Sequence, residues 1–471
     1  MTKTTRALLD LGLAAMAMAW LPQPAAAGER GEERARRSAR VGGLAWLLPV
    51  RGSESDAARS VAIAPDGAVL VAGQFDQELT VGLDDLVSEG DGDGFLLKLS
   101  RDGRPLWAHR FGGPGVDAAA AVVVDRDGNA TVIGTRGGEL TFSDGRLPAR
   151  RHEPAFALSF TPDGDSRWAT SWGTGGESVA AASLAPDGGI LVVGSRERRS
   201  RDRTGRAEDS DGFLIRLDPS GEPAWTVPLG GPRWDQAHAV AVARDGTIWV
   251  AGTFAGGMVL GSSVLVSAGG DDGFLASLDP DGHVRSARRI GGPDDDAITS
   301  LAVTADGAVA VAGWFEGRMM VGGDRLVSAG PADAFVAVLD PHGVWRWARQ
   351  RGGEGFDGAT AMAPLPDGGL LVAGDASELG DGTLTAAPGR GEVVRFDSTG
   401  RSLGVVVGLD GPLVAISGIA VADRRRAVVV GWFLREARVG GRALRSRGDF
   451  DGLVAAVELS VPSPEAAGGR H

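Results

Sequence analysis

The chain of 471 residues has no cysteine and no tyrosine, one asparagine (Asn129) and two lysines (Lys3 and Lys98). Without a thiol there is no disulfide framework, no thiolate nucleophile, no cysteine-ligated zinc and no cysteine-anchored lipid. The scarcity of lysine and asparagine fits the codon bias of a GC-rich genome and is assigned no function. Positive charge is also short: 48 basic residues stand against 61 acidic ones, for a formal charge of −13. No dense basic block is available to track a phosphate backbone, so nucleic acid is not an expected partner. Beyond the N-terminus no apolar run is long enough to span a bilayer. Glycine, by contrast, is abundant, with 74 residues and no G-X-Y period. That is roughly twice the ordinary ~7% and points to many turns between short strands.

Lys3 and Arg6 precede an apolar stretch from Ala7 to Leu21, interrupted by Asp10 and followed by Pro22, Pro24 and Ala25-Ala26-Ala27. A charged start, a short apolar middle and a small-residue end make a cleaved signal peptide over residues 1–27. The expected destination is the periplasm, the cell surface or the medium. Residues 28–43, in which Glu and Arg alternate, are expected to be a disordered charged linker, and 461–471 a disordered tail.

Between them the chain repeats itself. An apolar run before a D-G turn recurs at Asp66, Asp127, Asp187, Asp245, Asp306 and Asp367, with Arg424 in the seventh place, at intervals of 57 to 61 residues. Seven residues after each comes a glycine closing an apolar run: Gly73, Gly134, Gly194, Gly252, Gly313, Gly374 and Gly431. Each copy carries four β-rich segments separated by Gly and Pro turns, as in Ser60 to Ala64, Val69 to Phe75, Gly94 to Leu99 and Pro105 to Phe111, which reads as an antiparallel meander. Seven twisted sheets pack face to face around an axis, so the expected fold is all-β: a seven-bladed β-propeller of four-stranded antiparallel blades over residues 44–460. The last copy ends on its third strand, Leu453 to Leu459. Its missing fourth strand has an orphan equivalent in Leu44 to Val50, whose Trp46 matches Trp107, Trp168 and Trp225. The N-terminal strand is therefore expected to complete the last blade and close the ring, which removes the free edges.

The stretch LGGPRWDQAHAVAVARDGTIWVAGTFAGGMVLGSSVLVSAGGDDGFLASLDPDGHV, Leu229 to Val284, resembles the SBBP-type β-propeller repeats of secreted and surface bacterial proteins. The resemblance extends over roughly residues 44 to 459 and is weakest in the sixth and seventh copies. It implies a propeller in the envelope or outside the cell and supplies no catalytic residues.

The two ends of such a ring differ. One carries tight D-G and D-P-x-G turns; the other carries the blade-to-blade G-G-x-x-x-D loop and a longer insertion such as Asp76 to Gly92, the kind of loop that binds or shields something. At that end Asp56, Asp117, Glu177, Asp235, Asp296 and Asp357 each lie ten residues before the D-G turn, with Val414 in the seventh place. They are candidates for a ring of carboxylates at the channel mouth, or else caps on their own turns. Gly112 to Asp117 and Gly352 to Asp357 match the G-G-x-G-x-D of calcium-binding β-rolls but are isolated rather than tandem, as is the acidic run Glu89 to Asp93. Calcium is thus a minor reading, and no cofactor is expected. Trp46, Trp107, Trp168, Trp225 and Trp347 share a column on the fourth strand and are expected to fill the space between blades. Trp314 and Trp432 follow the glycine that ends the second strand. They are candidate stacking residues for a sugar or a partner side chain, with local packing as the alternative.

No H-E-x-x-H or G-x-S-x-G is present, and His109, His152, His238, His283, His342 and His471 fall in different columns, each expected on the surface. The expected function is a secreted, monomeric, non-catalytic module that binds a protein or polysaccharide through its loop-rich face. The alternatives are a hydrolase or lyase acting on extracellular polymer at the channel mouth, and a purely structural envelope protein.

Overall fold

The structure is a computed structural model and describes residues 42–459 apart from 83, 151–152, 198–208 and 378–388. The expected signal peptide, the linker except Gly42 and Gly43, and the tail lie outside the described residues, as do His152 and His471.

Among the described residues every regular element is a β-strand. In the first blade the innermost strand, Asp56–Ile63, returns as Val69–Phe75 through Pro65-Asp66-Gly67. Ala64 N–H donates to the Ala68 carbonyl and Gly67 N–H to the Ala64 carbonyl, each at 2.8 Å, while Asp66 Oδ1 accepts from Ala68 N–H at 2.8 Å. Gly67 has φ +84°, in the left-handed region that side chains avoid. The D-G pair therefore marks a three-residue hairpin loop with a left-handed glycine, not the two-residue turn the dipeptide suggests. The third strand, Asp93–Leu99, pairs with the second, and the outermost, Pro105–Gly112, with the third.

The pattern repeats. Blade two comprises Ala118–Val124, Ala130–Thr135, Ala155–Phe160 and Ser166–Trp172. Blade three comprises Glu177–Leu184, Ile190–Glu197, Ser210–Leu217 and Pro223–Leu229. Blade four is Asp235–Val242, Ile248–Leu260, Ser263–Leu278 and Val284–Ile290. Blade five is Asp296–Val303, Val309–Val321, Asp324–Leu339 and Trp345–Arg351. Blade six is Phe356–Pro364, Leu370–Ser377, Gly389–Phe396 and Ser402–Gly411. Blade seven takes Val414–Asp423, Arg426–Val439 and Arg442–Leu459 from the end of the chain and Gly42–Gly52 from its beginning. Leu47 lies opposite Ala455 and Val50 opposite Gly452, so the N-terminal strand completes the last blade.

The chain is thus a seven-bladed β-propeller. Innermost strands touch in sequence around the ring, and the seventh meets the first. Seven hydrophobic clusters each span one pair of adjacent blades. The one that closes the ring joins Val428, Val430 and Val454 of blade seven to Val69, Val71 and Phe75 of blade one. Middle strands are buried on both faces, as Val69–Phe75 and Asp93–Leu99 show, which is why they read as continuous apolar runs.

In the five blades whose insertion between second and third strands is described, it forms a hairpin. In blades four, five and seven it continues the strands themselves; in blades one and two it is separate, as Glu78–Val81 with Asp84–Val87 and Leu140–Phe142 with Gly145–Leu147. In blades one, two and seven the hairpin also pairs with the outermost strand of the preceding blade: Arg51 opposite Thr80, Phe111 opposite Phe142, Asp410 opposite Arg438. These hairpins tie neighbouring blades together.

Candidate functional site

The structure places Asp56, Asp117, Glu177, Asp235 and Asp296 inside the seams between blades, all at most 6% exposed, with Asp357 half-buried. Of the two readings, a ring at an open mouth or caps on their own turns, this placement fits the caps. The reason is the backbone around each acid. The second glycine of the G-G-x-x-x-D loop donates its N–H to the carboxylate four residues on: Gly113 to Asp117 (2.8 Å), Gly292 to Asp296 (2.6 Å), Gly353 to Asp357 (2.6 Å), and Gly231 to Asp235. The other oxygen of Asp117 accepts from Gly137 N–H (3.1 Å), and that of Asp235 from Ala255 N–H (3.3 Å). Glu177, one methylene longer, accepts from the N–H groups of Thr174 (2.6 Å) and Gly175 (2.7 Å) and from Arg196 Nε (2.8 Å). Burial pushes Asp56 up to about 9, Asp117 to about 6, Asp235 to about 7 and Asp296 to about 8, and it raises Asp357 as well. Neighbouring carboxylates on the third strands add to each rise.

Those neighbours form a second acidic column. Asp93, Asp272, Asp333 and Asp451 are at most 1% exposed, and Asp211 is half-buried. The first four accept the N–H of the returning hairpin, from Glu89 (3.2 Å), Ala268 (2.6 Å), Ala329 (3.2 Å) and Arg447 (3.2 Å). They also face the outermost strand, where Arg110 is 2.5 Å from Asp93, Arg289 3.2 Å from Asp272, Gln350 3.3 Å from Asp333 and Arg51 3.7 Å from Asp451. Between the two columns runs the glycine pair. A Cβ on Gly112, Gly230, Gly291 or Gly352 would collide with Asp93, Asp211, Asp272 or Asp333, and one on Gly113, Gly231 or Gly292 with the carbonyl oxygen of Glu139, Gly257 or Arg318. The loop motif is a seam motif: its first glycine meets the third-strand acid of its own blade, its second the hairpin of the next blade, and its acid the turn itself.

Trp432 is 5% exposed and packs on Phe450 at 5.2 Å, with Ala57 and Ala415 beside it. Trp314 is half-buried and tilts against Phe356 at 5.4 Å. At Trp432 the local-packing alternative fits, because the strand turns that side chain into the seam. The outer-strand tryptophans each lie on the third-to-fourth-strand turn of the next blade: Trp46 over Gly103, Trp107 near Gly164, Trp168 over Gly221, Trp225 over Gly282 and Trp347 over Gly400. Trp46, Trp107 and Trp347 also donate Nε1–H, to the carbonyls of Arg101, Pro162 and Ser398, at 3.1 Å in each case.

Two histidines are less exposed than the sequence suggests. His109 sits between Trp107 (4.8 Å) and Phe160 (5.1 Å), its Nδ1 3.1 Å from Ser143 Oγ, and burial lowers its pKa. It lines a groove of about 620 Å³ with Glu89, Arg110, Thr141 and Asp144, between the outer strand of blade one and the hairpin of blade two. No sequence signal announces this pairing, since the two residues come from different repeats. His238, on the innermost strand of blade four, meets Thr253 Oγ1 at 3.2 Å, and burial lowers its pKa to about 4. A second cavity, about 400 Å³, is bordered by the apolar ends of four innermost strands, at Val242, Val303, Pro364 and Val421. Among the described residues, Asp279, Asp281 and His283 form the one trio of acidic and histidine side chains whose ligand atoms lie within 4.8 Å of one another. It lies on a turn that Asp279 Oδ1 already closes by accepting the N–H groups of Asp281 and His283.

No family model matches the chain. The regulatory protein FlaEY of Caulobacter vibrioides is 37% identical over 223 residues, a match that covers 41% of this chain and 23% of that protein's length. Among solved structures, the WD40 domain of Neurospora crassa Pan2 is 12% identical, covers 86% of this chain and 90% of its own, and gives a TM-score of 0.43. Sqt1 from Chaetomium thermophilum is 14% identical over 88% of this chain and 98% of its own, with a TM-score of 0.45. A catalytically inactive virginiamycin B lyase from Staphylococcus aureus is 8% identical over 87% and 99%, with a TM-score of 0.45.

Proposed function

We propose that this chain is an exported, non-catalytic propeller of the SBBP-repeat type that binds a protein partner through the hairpins on its loop-bearing end. One observation carries the reading. The hairpins of the neighbouring blades four and five turn apolar side chains outward: Val259 is 63% exposed, Val264 71%, Val266 65%, Met320 55% and Val327 46%. On a strand, alternate residues face opposite ways, so Met258, Leu260 and Leu265 are buried while their neighbours Val259, Val264 and Val266 form a separate apolar outer face. Val259 lies beside Val264, with Val266 on the same face, and apolar side chains exposed together mark interaction sites more often than single ones do. The burial of Trp432 removes one stacking surface for a sugar, which favours protein over polysaccharide. The partly matching relative is called a regulatory protein, a role compatible with partner binding.

The test is capture from an envelope extract by the mature chain, with the double variant Val264→Asp and Met320→Asp alongside. A partner held by the wild type and lost by an equally stable variant is the expected result. Retention of the same partner by both, or turnover of ester, amide or glycan substrates by the wild type, contradicts the proposal.

A further inference from the structure

Alternate side chains of each insertion hairpin face outward, and cross-strand pairing fixes which of them share a face. In blade one Glu78 lies opposite Val87 and Thr80 opposite Asp85, with Leu79 and Val81 buried behind them. In blade five Arg318 lies opposite Val327 and Met320 opposite Arg325, with Met319, Val321 and Leu326 buried behind. All eight outward residues are exposed. The two faces match place for place, since each residue of the second follows its counterpart in the first by the same interval along the chain. At the charged places the sign is reversed. Glu78 and Asp85 occupy one diagonal of the first face, and Arg318 and Arg325 the same diagonal of the second.

The other described hairpins differ. Blade two pairs Arg146 with Glu139 at 3.8 Å, blade seven sets Glu436 opposite Arg445, and blade four shows valines without charge. Among the described hairpins, those of blades one and five alone carry charge of a single sign on this face. None of Glu78, Asp85, Arg318 and Arg325 has a side-chain hydrogen bond or ion-pair partner among the described residues. Two like charges on one small face repel each other, and a surface of the opposite sign removes that repulsion. Laid face to face, the two diagonals superpose opposite charges when the strands cross near a right angle, one of the two ways in which sheets pack. The other diagonals then bring Met320 and Val327 against Thr80 and Val87, and Val87 is 58% exposed in the single chain.

We propose that the hairpin of blade five binds the hairpin of blade one on a second copy of this chain. The proposal rests on the reading of the blade four and five hairpins as a protein-binding surface and names the occupant of the second. Such a contact joins unlike surfaces, so it leaves one free hairpin at each end and continues past a dimer, in place of the monomer expected from the sequence. A contact this small belongs to the weak, reversible class.

The test is sedimentation velocity of the mature chain over a concentration series, with reversible association beyond the dimer expected. Arg318→Glu with Arg325→Glu leaves acid on both hairpins, and Glu78→Arg with Asp85→Arg leaves base on both. Each variant alone is expected to associate at least about tenfold more weakly than the wild type. An equal mixture of the two restores opposite faces and is expected to form mixed complexes, while an unchanged Tm shows that the blades are intact. A wild type that stays a single species, a charge variant that associates as the wild type does, or a mixture that stays apart each overturns the proposal. The charge variants keep Val259, Val264 and Val266, so the two readings fail separately. Absence of self-association together with a captured envelope partner overturns this proposal alone, and absence of both overturns both.

Discussion

Replacing Asp117 with alanine strands the N–H group of Gly113 inside the seam and takes the acceptor from that of Gly137 at its edge. The expected loss is about 2 kcal/mol, and Asp117→Asn should lose less because its amide oxygen keeps an acceptor. Urea denaturation checks this; an unchanged midpoint for the alanine variant would show that the carboxylate does not cap the turn. Gly292→Ala drives a methyl group into the Arg318 carbonyl, so it should destabilise by about 1–3 kcal/mol although alanine is ordinarily the better-tolerated residue. The raised carboxyl pKa values have a definite sign. A carboxyl that titrates higher folded than unfolded holds its proton in the native state, so stability falls as pH rises between the two values. For Asp56, Asp117, Asp235 and Asp296 that window starts near the ordinary ~4 and runs up to about 9, 6, 7 and 8. In metal-free buffer the urea midpoint should decline from about pH 5 to about pH 8, and a midpoint that climbs over that range contradicts the burial of these groups.

The hairpin of blade two shows what the insertions contribute. Leu140 is fully buried and Phe142 and Leu147 are 9% exposed, packed against Phe111 and Phe156 in the cluster between blades one and two. Exchanging Leu140–Leu147 for a glycine-serine loop should remove about 1.5–3 kcal/mol for each of the three side chains, an upper estimate because the surroundings relax. Hydrogen exchange should speed up at Phe111 and Gly112, which pair with the hairpin, and not in distant blades; uniform loss of protection would mean that the hairpin is not a local staple. The strands themselves were legible in the sequence. The D-G spacing and the glycine seven residues on locate the first hairpin of each blade, since a left-handed turn position and a crowded strand position both demand glycine. The insertion of blade five is present as an extension of Val309–Val321 and Asp324–Leu339. What a single strand pattern does not reveal is the partner across a seam. The acids at Asp56 and its equivalents stand out by their spacing, but Asp93, Asp272, Asp333 and Asp451 read only as strand beginnings. The contact between His109 and Ser143 depends on how two repeats are placed side by side.

Closure of the ring explains both chain ends. The N-terminal strand covers the third strand of blade seven, and its Trp46 reaches the turn of blade one, so one segment spans the junction. The repeat count and the unmatched fourth strand disclosed this order, because a meander that ends one strand short needs that strand from elsewhere. The absence of cysteine offers a direct check. Leu47 and Ala455 lie opposite each other across the junction, a separation that suits a disulfide. The double variant Leu47→Cys and Ala455→Cys, oxidised mildly and mapped by mass spectrometry, should form the intramolecular bond in nearly every molecule, whereas Leu47→Cys with Val454→Cys, whose side chains point to opposite faces, should not. A first pair that stays reduced, or that links only between molecules, would contradict a ring closed by its own N-terminus.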